Sequence, residues 1–157
     1  MTGAPGLPVV GAPTPALTLP DAHGAPVAVG GPAASPVLLV FVPFAFSRVC
    51  TAELTELQEH LPELAAAGVA VRAASCDPGP ALRAWADKDG YAFPLLSDFW
   101  PHGEVSRAFG VFHEGAGAPT RGTFLIDRDG VIRWSLVNEI GQARDFSGYH
   151  EALAALR

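Results

Sequence analysis

The chain has 157 residues, 49% of them apolar and 17% charged, with a formal net charge of −6. That length suits one domain with an ample core, and an acidic chain lacking any Lys/Arg run makes nucleic acid and anionic membranes unlikely partners by charge. No lysine or arginine precedes Arg48, and the longest strongly apolar run, residues 37–46, is broken by Pro43, so a signal peptide or membrane span is not expected and the reducing cytoplasm is the expected compartment.

Residues 1–36 are rich in Gly, Pro and Ala, and their short alternating pieces at 16–19 and 27–29 predict an N-terminal arm carrying a small hairpin. Residues 37–42 form a continuous β-prone run, the pattern of a central strand covered on both faces. From 51 to 67, Leu54, Leu57, Leu61, Leu64 and Ala65 recur at helical spacing up to Gly68, with Pro62 expected to kink or divide the helix. A second buried strand is expected at 69–74 and a short helix at 80–89, ended by Gly90.

A further short helix is predicted at 103–109. Strands at 123–126 and 131–135 follow, joined by the turn Asp127-Arg128-Asp129-Gly130. An amphipathic helix at 146–156 closes the chain, and Gly115-Ala116-Gly117-Ala118-Pro119 reads as the most flexible interior loop. The order β-α-β, α, β-β-α predicts an α/β fold of thioredoxin-like type: a central mixed sheet flanked by helices, with the N-terminal hairpin as an extension, in one domain over residues 1–157.

Cys50 falls where the central strand gives way to the long helix, in the first helical turn. Free N–H groups and the positive end of the helix dipole favour an anion there, so a thiol at that place should ionise more readily than an isolated one. The plainer alternative is a small buried hydrophobe. The neighbouring residues decide between the two. Pro43, Ser47 and Cys50 stand at the spacing P-x-x-x-(T/S)-x-x-C, followed by Glu53 three residues on, and Arg121 precedes the apolar strand Thr123-Phe124-Leu125-Ile126. This set resembles the peroxiredoxins, and with Asp98-Phe99-Trp100-Pro101-His102-Gly103 it is most similar to their AhpE-type, often one-cysteine, branch, over about residues 8 to 157.

The resemblance implies a thiol peroxidase without cofactor or metal, acting on hydrogen peroxide, organic hydroperoxides and peroxynitrite, and working as a homodimer. It implies Cys50 as the peroxide-attacking nucleophile and Arg121 as the group that faces thiolate and peroxide together, a task for which a planar, permanently charged fork of donors is suited. Ser47 would bridge thiolate and peroxide proton; the family more often has Thr there, and Ser keeps the hydroxyl while losing the methyl that restricts its rotamer. Pro43 would stiffen the loop and shield the thiolate. Glu53 would pair with Arg121 or another site arginine, or remain a solvated acid of the first turn. Arg48 adds positive potential or lies at the surface, and Phe99 and Trp100 belong to a dimer contact or to the core.

Cys76 follows the second strand of the parallel pair, so it shares a sheet edge with Cys50 and could resolve the oxidised sulfur. A direct bond needs α-carbons within about 7 Å, which favours instead a cycle in which an external thiol, either a small molecule or a glutaredoxin- or thioredoxin-like protein, attacks Cys50 and Cys76 is a bystander. A thiol-disulfide reductase of C-x-x-C type is excluded because Ser47 occupies the first position of that frame. A peroxide sensor or holdase using the same cysteine stands as the rival of another class. The five histidines lack metal-ligand spacing, and the 127–130 turn has too few acids for a calcium loop.

Overall fold

The structure, a computed structural model, describes residues 9–156. Its elements in chain order are β1 (Thr18–Pro20), β2 (Pro26–Ala28), β3 (Val37–Phe41), α1 (Arg48–Glu59), α2 (Leu61–Ala66), β4 (Ala70–Ser75), α3 (Gly79–Asp89), β5 (Leu95–Ser97), α4 (Glu104–Ala108), β6 (Phe112–His113), β7 (Ala118–Pro119), β8 (Arg121–Ile126), β9 (Ile132–Asn138), a 3-10 turn (Phe146–Gly148) and α5 (Tyr149–Ala154). Strands β1 and β2 pair antiparallel, as the alternating pieces of the arm predicted.

A five-stranded sheet of order β5-β4-β3-β8-β9 organises the molecule. Strands β3, β4 and β5 run parallel, and β8 and β9 complete the sheet antiparallel, which makes it mixed. Every residue of β3 is buried because both of its faces are covered. Leu38 and Val40 point into one apolar cluster with Leu54, Leu57, Leu82, Trp85 and Tyr149. Val37, Leu39 and Phe41 point into the other, with Val105, Phe109 and Phe124. Helices α1, α3 and α5 therefore cover one face of the sheet and α4 the other.

The structure differs from the sequence-based expectations in several places. The predicted helix at 51–67 begins three residues earlier, at Arg48, because Ser47 caps it, and Pro62 divides it into α1 and α2 at His60. Strand β5 has only three residues, too few to show a period, and becomes a strand by pairing with β4. Arg121 is the first residue of β8 and does not precede the strand, and β9 runs on to Asn138. Of the expected loop at 115–119, residues 115–117 lie in the turn of the small β6–β7 hairpin and Ala118–Pro119 form its second strand. The closing helix is a 3-10 turn followed by the six residues of α5. Among the described residues, no helix is long and apolar enough to cross a membrane.

Candidate active site

Cys50 is the third residue of α1 and has no solvent exposure. The chain reaches it through residues 42–47, which leave β3 at the C-terminal edge of the sheet. Val42 N–H donates to Ala74 O (2.9 Å), and Ser47 N–H donates to Phe44 O (3.3 Å). Pro43 is buried in this segment, while Phe44 and Phe46 are exposed. Phe46 has a φ of 66°, a backbone state that costs a bulky residue on the order of 1–3 kcal/mol and persists only where surrounding contacts impose it. Its ring centroid lies 6.2 Å from that of Trp85, with Lys88 Nζ 5.9 Å from its own centroid.

Ser47 is the N-cap of α1, its Oγ accepting from Cys50 N–H at 3.1 Å. Starting the helix there puts Cys50, Glu53, Leu54 and Leu57 on one buried stripe. On an ordinary core-facing helix that stripe is wholly apolar. Here its N-terminal half carries a thiol and a carboxylate, and buried charges must be met by partners.

The partners come from the antiparallel half of the sheet and the loop beyond it. Arg121, 4% exposed at the start of β8, donates through Nη1 to Cys50 Sγ at 3.4 Å and also to Glu53 Oε1, while its Nε donates to Ile140 O at 2.8 Å. Arg144, in the loop between β9 and the 3-10 turn, is equally buried. Its backbone N–H and Nε donate to Glu53 Oε2 at 2.9 and 2.8 Å, and its Nη1 donates to Gly122 O at 3.0 Å and Thr123 Oγ1 at 2.9 Å. Its Nη2 donates to Phe41 O. Among the described residues, no buried side-chain nitrogen or oxygen lacks a partner.

Glu53 is therefore a buried clamp between two guanidinium groups, not a solvated acid. Burial lowers the basicity of Arg144, and the carboxylate of Glu53 opposes that effect. Removing one member of such a network leaves a buried charge unpaired, at a cost of about 3–5 kcal/mol. Two guanidinium charges face one carboxylate, so one positive charge beside the Cys50 sulfur is left for an anion. Arg144 had no motif in the sequence to announce it: the possibility that another arginine pairs with Glu53 was open, and the structure identifies that arginine.

The remaining candidates lie elsewhere. Arg48 is exposed and touches none of these groups, and Phe99 and Trp100 are 46% and 81% exposed, which removes them from the core. Cys76 is buried against α4, its Sγ 3.9 Å from Ser106 Oγ. Desolvation, reinforced by the nearby charges of Asp98 and Asp77, pushes its thiol up to about 12. Since Val105 of α4 belongs to the cluster opposite to that holding Cys50, the two sulfurs share a sheet edge but face different sides of the sheet. His102 meets Gly117 O (2.7 Å) and His113 the backbone of Ala116 (3.0 Å), and among the described residues no group of His, Cys, Asp and Glu is arranged to hold a metal.

Residues 10–135 match the model of the AhpC/TSA family. The chain is similar to alkyl hydroperoxide reductase E of Mycobacterium tuberculosis, with 48% identity over 148 residues covering 94% of this chain and 97% of that protein. It is also similar to alkyl hydroperoxide reductase C of Amphibacillus xylanus, with 37% identity over 70% of this chain and 60% of that one. Among solved structures, AhpC of Enterococcus faecalis superposes with a TM-score of 0.84 at 27% identity, covering 95% of this chain and 92% of that chain. The peroxidoxin BcpB of Mycobacterium tuberculosis superposes with a TM-score of 0.78 at 29% identity, covering 94% and 96%.

Proposed function

The chain belongs to the AhpC/TSA family and is a thiol-dependent peroxidase of peroxiredoxin type, and on that premise we propose that Cys50 is the sulfur that attacks the peroxide. The observation that carries this reading is the 3.4 Å contact of Arg121 Nη1 with Cys50 Sγ at the N-terminus of α1, inside a cluster whose charge balance closes when the sulfur is an anion.

In the first step the Cys50 thiolate forms an S–O bond as the O–O bond breaks. The departing oxygen leaves as hydroxide or alkoxide and takes up a proton, so the peroxide is reduced to water or an alcohol and the sulfur is oxidised to a sulfenic acid. Charge moves from sulfur to the leaving oxygen, and a donor already aimed at that path needs no reorganisation. Arg121 is such a donor: Nε and Nη1 are held by Ile140 and Glu53, and the Nη2 hydrogens are not spent on these contacts. Ser47 starts the helix, its oxygen accepting from the Cys50 N–H, and this cap leaves the hydroxyl proton for the peroxide. Buried Pro43 brings no N–H into the segment that covers the thiolate.

In the second step an external thiol attacks the sulfenic sulfur, releasing water and leaving a mixed disulfide, and a second thiol frees Cys50 with formation of the reductant's own disulfide. A small thiol or a glutaredoxin- or thioredoxin-like protein in a reducing cytoplasm fits this role. The position of Cys76 on the other side of the sheet, with its thiol held protonated, supports a one-cysteine cycle. The exposed Phe99 and Trp100 support a homodimer. Hydrogen peroxide, organic hydroperoxides and peroxynitrite are the expected substrates.

Mass spectrometry after one equivalent of hydrogen peroxide tests the cycle. The expected product carries one added oxygen at Cys50 and converts to a mixed disulfide when a thiol is supplied. Loss of two hydrogens, with peptide mapping that joins Cys50 to Cys76, would overturn the one-cysteine cycle in favour of an intramolecular one.

A further inference from the structure

We propose that Asp77, in the loop between β4 and α3, is a positioning residue for peroxide reduction, holding segment 42–47 over Cys50 through its carboxylate. The inference rests on the reading of Cys50 as the peroxide-attacking sulfur.

Between Val42 N–H at one end of the segment and the Phe44–Ser47 turn at the other, Ala45 N–H donates to Asp77 Oδ2 at 2.8 Å. It ties the middle of this segment to a side chain beyond the neighbouring strand β4. The same oxygen accepts from Ser75 Oγ at 2.8 Å, and Ser97 Oγ donates to Asp77 O at 2.7 Å, so two neighbouring strands hold the aspartate itself. Side chains alternate along an extended chain. Ser75 and Asp77 turn toward the segment, while Cys76 between them turns to Ser106.

The clasp sits where the backbone has most need of one. Ala45 directly precedes Phe46, whose positive φ is a state that relaxes unless its flanks are pinned. Phe46 in turn precedes Ser47, the cap whose Oγ accepts from the Cys50 N–H. Releasing Ala45 allows Phe46 to relax, shifts Ser47 and Pro43 relative to Cys50 and Arg121, and opens a sulfur that now has no solvent exposure. Two consequences of opposite sign follow. Peroxide reduction, which needs the groups in line, slows; alkylation by a bulkier reagent, which needs only access, accelerates.

Three variants separate position from charge and from stability. Asp77→Asn keeps an acceptor at the same distance without the charge, Asp77→Glu keeps the charge and displaces the acceptor by a methylene, and Asp77→Ala removes both. Oxidation of Cys50 by hydrogen peroxide is expected to be at least about tenfold slower in Asp77→Glu and Asp77→Ala and within about threefold of wild type in Asp77→Asn, displacements of this kind being costly to aligned reactions. Iodoacetamide labelling of Cys50 should be faster in the two slow variants, with Cys76 still unlabelled, and hydrogen exchange at Ala45 should be faster in them as well.

An acid that mattered only to stability would lower the unfolding temperature without this split, or would expose both cysteines together. Equal oxidation rates in Asp77→Asn and Asp77→Glu overturn the proposal, and so does labelling of Cys76 in step with Cys50. Should Asp77→Ala not fold, the Asn and Glu pair decides alone. Should wild type leave Cys50 unoxidised by peroxide, the reading of the site fails, and labelling and exchange still decide whether Asp77 holds the segment.

Discussion

The two cysteines of this chain occupy places that look alike by topology and differ in chemistry. Both are buried, and both lie at the C-terminal edge of the sheet, just beyond the adjacent parallel strands β3 and β4. Around Cys50 the fold gathers a helix N-terminus and the two guanidinium groups of Arg121 and Arg144, with Glu53 fixing both. Around Cys76 it gathers a hydroxyl from Ser106 and the carboxylates of Asp98 and Asp77. Burial by itself penalises the thiolate at either site. The charge that comes nearest differs between the two: the Arg121 guanidinium at Cys50 and, at Cys76, carboxylates led by Asp98.

Three substitutions can break or sharpen that contrast. The largest effect is expected for Cys50→Ser, which should abolish thiol-dependent peroxide consumption while the circular dichroism spectrum of the fold remains, since serine nearly matches cysteine in volume and does not ionise. Turnover near that of wild type would move the chemistry away from this sulfur altogether.

Next comes Arg121→Lys. An ammonium keeps the charge beside Cys50 and Glu53 and loses the fork that reaches both along with Ile140 O. The second-order rate of oxidation, followed by stopped-flow fluorescence, should fall by roughly 10²-fold. A fall of less than about tenfold, equivalent to about 1.4 kcal/mol, would mean that charge alone suffices.

Cys76→Ala should have the smallest effect on the reaction: the rate of peroxide reduction with an external thiol should be unchanged. Its signature lies in the pH dependence of stability. The folded state holds the Cys76 proton more tightly than the unfolded chain does, from an ordinary 9.0 up to about 12. The corresponding stability is fully present below pH 9 and is lost as the pH rises toward 12, with a slope of roughly 1 kcal/mol per pH unit. Urea unfolding of wild type and Cys76→Ala across this window should show the slope shallower in the variant. Parallel pH profiles would mean that Cys76 is less shielded than its surroundings imply.

Much of this protein could be read along the chain. The continuous apolar run of β3, the helical spacing from Leu54 to Leu64, the break at Pro62 and the stop at Gly90 are local signals, because period, cap and breaker act over a few residues. The Ser47, Cys50 and Glu53 spacing belongs to the same class: a cap followed by two positions three apart puts thiol and carboxylate on one stripe of α1. Tertiary structure decided what that stripe meets. Arg144 reaches Glu53 across 91 residues and Asp77 reaches Ala45 across 32, with no pattern in either neighbourhood to mark them. Strand β5 is too short to carry a period and exists through its pairing with β4. Topology put Cys76 on the sheet edge it shares with Cys50 and left a resolving role open beside that of a bystander, and only the tertiary structure shows its side chain turned toward α4. Local geometry is encoded where it acts, whereas the company a buried charge keeps depends on sheet order and on loops that return from far along the chain, and these exist only once the apolar faces have packed.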